Sequence, residues 1–345
     1  MDLRCIFELS LGIRRRFQLC HLLAALVVLL IFAVDPTWAQ DSAPARVTPT
    51  ATPTPAKTPT DPDDTPLRIQ TDLVTMTLTV QDDWGRYVSS LSKKNFTIFE
   101  NDVEQEISFF SEMDSPASIG IIYDVSGSMG SGKIQRARSA LQHFMMTSHP
   151  SDEYSLIAFN DKVRLLADRT RDGKAVLDKL SNVQTGGSTA FYDAVYLGVD
   201  RVIRGSHNKR ALLIISDGQD NSSRYSSREV RRYLKEADVI IYSVGIYAGN
   251  EGWEGFQGQG FLKELSEITG GQAFYPRSDA DMDELFERIA LELRHQYSVG
   301  YIPKDFQQDG KWRKLKAKVT PPRGMPRLTV RGRKGYFATP TIPDK

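Results

Sequence analysis

The sequence predicts an α/β fold, a doubly wound and mostly parallel sheet, inserted in or flanked by a small β-sandwich. Three observations carry this. Between residues 117 and 295, continuous apolar runs alternate with helical patterns, as in a parallel sheet covered on both faces. On either side of that stretch the period drops to two, with VTMTLTV at 74–80 and KLKAKV at 314–319 alternating apolar and polar residues. Loops of Asp, Ser, Thr and Gly follow several of the apolar runs, at the strand ends where open α/β sheets bind ligands.

The N-terminus comes first. The chain has 345 residues, 40% hydrophobic and 25% charged, which suits about two folded domains. Residues 1–39 read as a secretory signal: Arg14 to Arg16, then LLAALVVLLIFAV at 22–34, then Thr37-Trp38-Ala39. The apolar run is shorter than the roughly 20 residues that span a bilayer, and Asp35 closes it. Retention as an uncleaved anchor is the alternative. Cleavage after Ala39 removes both cysteines, Cys5 and Cys20, and with them any disulfide framework or thiol nucleophile. It also leaves basic and acidic residues in equal number, so nothing overall calls for nucleic acid. The expected location is exported: periplasmic, cell-surface or secreted, with no stable membrane span once the signal is gone.

Residues 40–66 include VTPTATPTPAKTPTDPDDTP (47–66), which is too rich in Thr, Pro, Ala and Asp to bury a core. Its prolines favour extended chain, and it reads as a disordered spacer.

Strands follow from 67 to 112: VTMTLTV, the turn DDWGR (82–86), FTIF (96–99), the turn END (100–102) and QEISFF (105–110). Strand patterns return at 296–338 with QYSVGYI (296–302), KLKAKV, RLTV (327–330) and GYF (335–337), before a tail at 339–345. Neither piece makes a domain alone. Together they supply roughly seven strands, the usual content of a sandwich, with the α/β domain of 117–295 between its halves. Residues 303–345 hold 12 basic and 3 acidic residues. One reading is a polyanion-binding face; the simpler one is a solvated strand face whose lysines protect a sheet edge.

Within the α/β stretch the expected strands are SIGIIY (118–123), YSLIAF (154–159), ALLIIS (211–216), VIIYSVG (239–245) and the shorter QAFY (272–275). Ile134, Ala137, Leu141, Phe144 and Met145 keep one helix face, as do Leu285, Ile289 and Leu293. The loop after the first strand, DVSGSMGSGKI (124–134), has two readings. From Gly127 to Lys133 it fits a phosphate-cradling P-loop, but Ile134 lacks the hydroxyl that holds the nucleotide's magnesium. Alternatively Asp124, Ser126 and Ser128 are three oxygen donors. Thr189, in TGGSTAFYDA (185–194), stands after two glycines at the start of another helix, and Asp217, in ISDGQDN (215–221), just past the end of another strand. Two carboxylates and three hydroxyls are hard donors suited to Mg²⁺ or Mn²⁺ rather than zinc. Asp193 and Asp220 could support the metal's ligands from behind, but read more simply as a helix-surface carboxylate and a turn residue. The cations Arg228, Arg231, Arg232 and Lys235 read as a solvated helix face.

The combination DVSGSM, GGSTAFYDA and IISDGQDNS, in order on these elements, resembles a von Willebrand factor type A domain, Rossmann-like in fold, over about 117–293. The flanks resemble those of exported bacterial proteins built around such a domain. The resemblance implies a metal-ion-dependent adhesion site in which Asp124, Ser126, Ser128 and Thr189 contact the metal and Asp217 does so directly or through water. One coordination position is left for an Asp or Glu carboxylate of a protein partner. The function implied is metal-dependent protein binding, with no catalytic residues. Metal-assisted hydrolysis and a scaffold with a merely structural site are the alternatives. No histidine lies in any of the three loops, which speaks against an activated serine.

Overall fold

The computed structural model describes residues 73–112, 114–247, 253–305 and 307–338, so the expected signal, spacer and tail lie outside the described residues. The central sheet has six strands: β5 (Ala117–Asp124), β6 (Glu153–Phe159), β7 (Val163–Thr170), β8 (Lys209–Ser216), β9 (Ile240–Gly245) and β10 (Gln272–Phe274). Their order is β10-β9-β8-β5-β6-β7, parallel except for the β6–β7 pair. Strands β5 and β6 are buried at every residue, which explains their unbroken apolar character.

Three helices cover each face. On one side α1 (Ser131–Thr147), α2 (Gly173–Ser181) and α6 (Asp279–Arg294) bury Leu141, Phe144, Leu180, Phe286 and Ile289 against the sheet. On the other, α3 (Phe191–Ile203), α4 (Ser227–Glu236) and α5 (Trp253–Thr269) bury Phe191, Val199, Leu234 and Leu262. Three of these helices start on side-chain caps, Asp172 accepting from the Ala175 N–H ahead of α2. Ser278 accepts from the Asp281 N–H, and Ser226 with Glu229 forms a capping box.

Eight further strands flank this domain in sequence: β1 (Val74–Asp82), β2 (Phe96–Glu100), β3 (Val103–Gln105) and β4 (Ile107–Ser111) before it, and β11 (Gln296–Tyr301), β12 (Trp312–Val319), β13 (Leu328–Arg331) and β14 (Gly335–Phe337) after it. They form two antiparallel sheets, β13-β1-β11-β4 and β14-β12-β2-β3, each mixing strands from both flanks. One core lies between them, including Met76, Leu78, Val80, Ile98, Tyr297, Val299 and Leu315. The segment read as one strand, QEISFF, is two. The chain leaves one sheet after Gln105 and enters the other at Ile107. Strand β7 was not expected from the sequence.

Helix α6 runs directly into β11, and a buried carboxylate joins it to the sheets. Glu292 is fully buried, and its Oε1 accepts from Thr79 Oγ1 (3.1 Å), Tyr242 Oη (2.9 Å) and Arg331 Nη2 (2.7 Å). Its Oε2 accepts from Tyr87 Oη at 2.9 Å. Thus β1, β9 and β13 all reach one acceptor on the last helix of the α/β domain.

Candidate metal centre

Connections diverge at the carboxyl end of β5. The chain passes first to β6 on one side and later to β8 on the other, and the crevice at such a switch point is where open α/β sheets take ligands. Asp124 ends β5 there, fully buried. Ser126 is buried beside it, and the exposed Ser128 follows within a 3₁₀ turn, Gly127–Met129. Asp217 stands just beyond β8 and Thr189 just ahead of α3, both buried.

The first loop curls its oxygens together. Asp124 Oδ1 accepts from the Ser126 N–H at 2.9 Å, and Ser126 Oγ lies 3.1 Å from Ser128 Oγ. Asp124 Oδ2 accepts from Ser216 Oγ at 2.6 Å. Thr189 makes no direct hydrogen bond to the other four predicted ligands, but its loop is stitched to both of theirs. Gly186 N–H donates to Val125 O (2.8 Å) and Gly127 N–H to Gly187 O (3.2 Å). On the other side Thr189 N–H donates to Asn221 Oδ1 (2.8 Å), and Asn221 N–H returns to Thr189 O (3.0 Å). Asp217 is fixed from behind: Tyr247 Oη donates to its carbonyl at 2.8 Å, and α5 packs so closely that a Cβ on Gly258 would lie 2.2 Å from that carbonyl. Only glycine fits there.

Electrostatically the centre is unbalanced. Burial pushes the Asp124 carboxyl up to about 6, and the charge of Asp217 adds to this, while hydrogen bonds from Ser126 and Ser216 pull the other way. Among the described residues neither Asp124 nor Asp217 has a cationic partner within ion-pair distance. Buried carboxylates normally have one. Among the described residues no three His, Cys, Asp or Glu side chains gather as a metal group, so any site here needs the hydroxyls. Two carboxylates and a cluster of hydroxyls fit a hard divalent cation.

The P-loop reading finds no support in this geometry, since Lys133 Nζ donates to Ser128 O at 3.1 Å, turned onto its own loop. Sequence reasoning missed Ser216, whose hydroxyl orients Asp124; as the last residue of an apolar strand it carried no signal. Asp193 is not a solvated helix-surface carboxylate. It is buried, accepts from Arg224 N–H (2.9 Å) and Tyr225 N–H (3.0 Å), and pairs with the Arg224 side chain. Asp220 is a turn residue, as expected, that also accepts from Tyr192 N–H at 3.0 Å in the first turn of α3. Of the α4 cations, Arg231 is bound to Glu264 at 2.6 and 3.0 Å rather than merely solvated.

The sequence pattern of the von Willebrand factor type A domain matches residues 118–288, the span of the six-stranded sheet and most of its helices. This chain carries a von Willebrand factor type A domain. Human inter-alpha-trypsin inhibitor heavy chain H4 is 22% identical to it over 194 residues, which is 52% of this chain and 20% of that one. An uncharacterised protein of Borreliella burgdorferi is 23% identical over 191 residues, 48% of this chain and 55% of that one. The chain therefore spans about a fifth to about half of the length of these curated relatives. Among solved structures, a von Willebrand factor type A protein from Catenulispora acidiphila covers 78% of this chain and 74% of its own, with 14% identity and a TM-score of 0.45. The von Willebrand domain of the pilus tip protein Mfa5 from Porphyromonas gingivalis covers 53% of this chain and 97% of its own, with 11% identity and a TM-score of 0.43. Among the described residues, no helix of this type A domain or of the flanking sheets is long and apolar enough to cross a membrane.

Proposed function

We propose that the protein is an exported, divalent-metal-dependent binding module. In this reading Asp124, Ser126, Ser128, Thr189 and Asp217 hold Mg²⁺ or Mn²⁺ at the carboxyl end of the type A sheet. The metal supplies a Lewis-acidic position that an Asp or Glu carboxylate of a protein ligand completes. The chain's own part is to orient the donors. Asp124 is aimed by Ser126 N–H and Ser216 Oγ, and Asp217 is clamped by Tyr247 and Gly258. The observation that carries the reading is the pair of buried carboxylates without a cationic partner among the described residues, set among hydroxyls at the switch point. Ser216 is fully buried, so its hydroxyl serves to hold Asp124 rather than to attack a substrate.

Calorimetric titration of the full chain with Mg²⁺ and Mn²⁺ tests this. Asp124→Ala is expected to lose most of the affinity, and Lys133→Ala to keep it. Equal binding by wild type and Asp124→Ala would overturn the site. Tight ATP binding lost on Lys133→Ala would restore the P-loop.

A further inference from the structure

The lysines of β12 face solvent, as its alternation predicts, but not every cation of the C-terminal strands does. Lys316 on β12 and Arg331, Arg333 and Lys334 at the β13–β14 connection line one cavity of about 430 Å³, bounded on the α/β side by Glu267 and Gly270. Four cations there face one carboxylate, and Glu267 is already held by Lys334 at 3.1 Å and Lys263 at 3.9 Å. Arg331 gives one nitrogen to Glu292, and Arg333 lies 3.9 Å from Asp238. Yet Nη1 of Arg331 and Nε of Arg333 are buried without a hydrogen-bond partner among the described residues. Lys316 is exposed and has no ion pair among the described residues. Buried N–H groups without an acceptor are uncommon and call for an explanation. Guanidinium groups match tetrahedral oxyanions, and lysines add compact positive charge.

We infer that this cavity is a binding site for a phosphate group, with Arg331 and Arg333 within it and the exposed Lys316 and Lys334 at its mouth. The phosphate belongs either to a small soluble molecule or to the headgroup of an anionic lipid; both present the same charged oxygens. The site uses none of the five oxygen donors of the metal centre, so it stands or falls apart from the metal reading.

The full chain, kept in EDTA, is titrated with pyrophosphate by calorimetry and sedimented with phosphatidylglycerol or phosphatidylcholine vesicles. Binding of pyrophosphate or of phosphatidylglycerol vesicles is expected. The double variant Lys316→Gln/Lys334→Gln, at two exposed positions that leave the core untouched, is expected to weaken it roughly tenfold, as charge-assisted contacts are lost. Arg333→Lys, which keeps the charge but not the fork, is expected to weaken it as well. Pyrophosphate binding assigns a soluble ligand, and binding of the anionic vesicles alone assigns a headgroup. Failure of both probes, equal binding by wild type and the double variant, or sedimentation with both vesicle types alike in a protein that does not bind pyrophosphate overturns the proposal.

Discussion

Asp124 and Glu292 are both fully buried carboxylates in one domain, yet their surroundings are opposite. Glu292 has a guanidinium, two phenol hydroxyls and a threonine hydroxyl converging on it, so its charge is met from several elements at once. Asp124 has a backbone N–H and a serine hydroxyl, with another carboxylate nearby and no cation among the described residues. Burial is therefore not what distinguishes a functional carboxylate from a structural one. The difference is whether the fold itself supplies the compensating positive charge. Glu292 is a completed joint, and in the proposed reading Asp124 is half of one whose other half is a cation from solution.

Removing Glu292 tests this contrast most severely. Glu292→Ala leaves Arg331 and three hydroxyls around it without their common acceptor, and losing one partner of a buried pair costs about 3 kcal/mol or more. Urea unfolding should show that loss whether or not Mg²⁺ is present. A cost below about 1 kcal/mol would mean the joint holds nothing together.

Asp124→Asn should behave the other way round. With Mg²⁺ at a hundred times its dissociation constant, the wild type should gain about 2.7 kcal/mol of stability and the variant almost none. In EDTA the variant should be as stable as the wild type or more so, because an uncompensated buried charge has been removed. An equal magnesium shift in both proteins would show that Asp124 is not a ligand.

The smallest effect lies at the C-terminal residue of α6. There the Arg294 hydrogen bond, made to Asp114 at 2.5 Å, holds that carboxyl below its usual range. A depressed folded pKa contributes stability that is present above the ordinary carboxylate pKa of about 4 and lost as pH falls through the folded value. The pair is substantially exposed, so the contribution is expected to stay under about 1 kcal/mol. Wild type should therefore exceed Asp114→Asn slightly in stability near neutrality, and the gap should close in acid. A gap that widens in acid would reverse the sign of this contact.

What was legible in the sequence follows from the same physics. The unbroken apolar runs of β5, β6 and β8 announce a sheet buried on both faces, and the Asp-Ser-Gly loops after β5 and β8 mark strand ends of the kind where open α/β sheets take ligands. Strand β7 was not legible, because VRLLADRT is an antiparallel edge strand with mostly exposed or half-buried residues and no clean alternation. The split of QEISFF between two sheets occurs at the exposed Glu106, a residue that marks no boundary by itself. Glu292 was invisible for another reason. On a helix reading LFERIALELR a glutamate looks solvated, and only the arrival of β1 and β13 from distant parts of the chain buries it.

That distance has a consequence for how the molecule folds. Thr79 and Glu292 are 213 residues apart, and Glu100 is 201 residues from Tyr301, whose hydroxyl it accepts. Closing loops of that length in an open chain is entropically slow. Once the α/β domain has formed, Asp114 and Arg294, 180 residues apart in sequence, are hydrogen-bonded, and the remaining search is short. The flanking sheets should accordingly form last. A chain growing from its N-terminus displays Met76, Leu78, Val80 and Ile98 throughout synthesis of the whole α/β domain, with their partner strands not yet made. For that interval the first four strands are an unprotected apolar surface, and a nascent chain stalled near Arg294 should be the most aggregation-prone length of this protein.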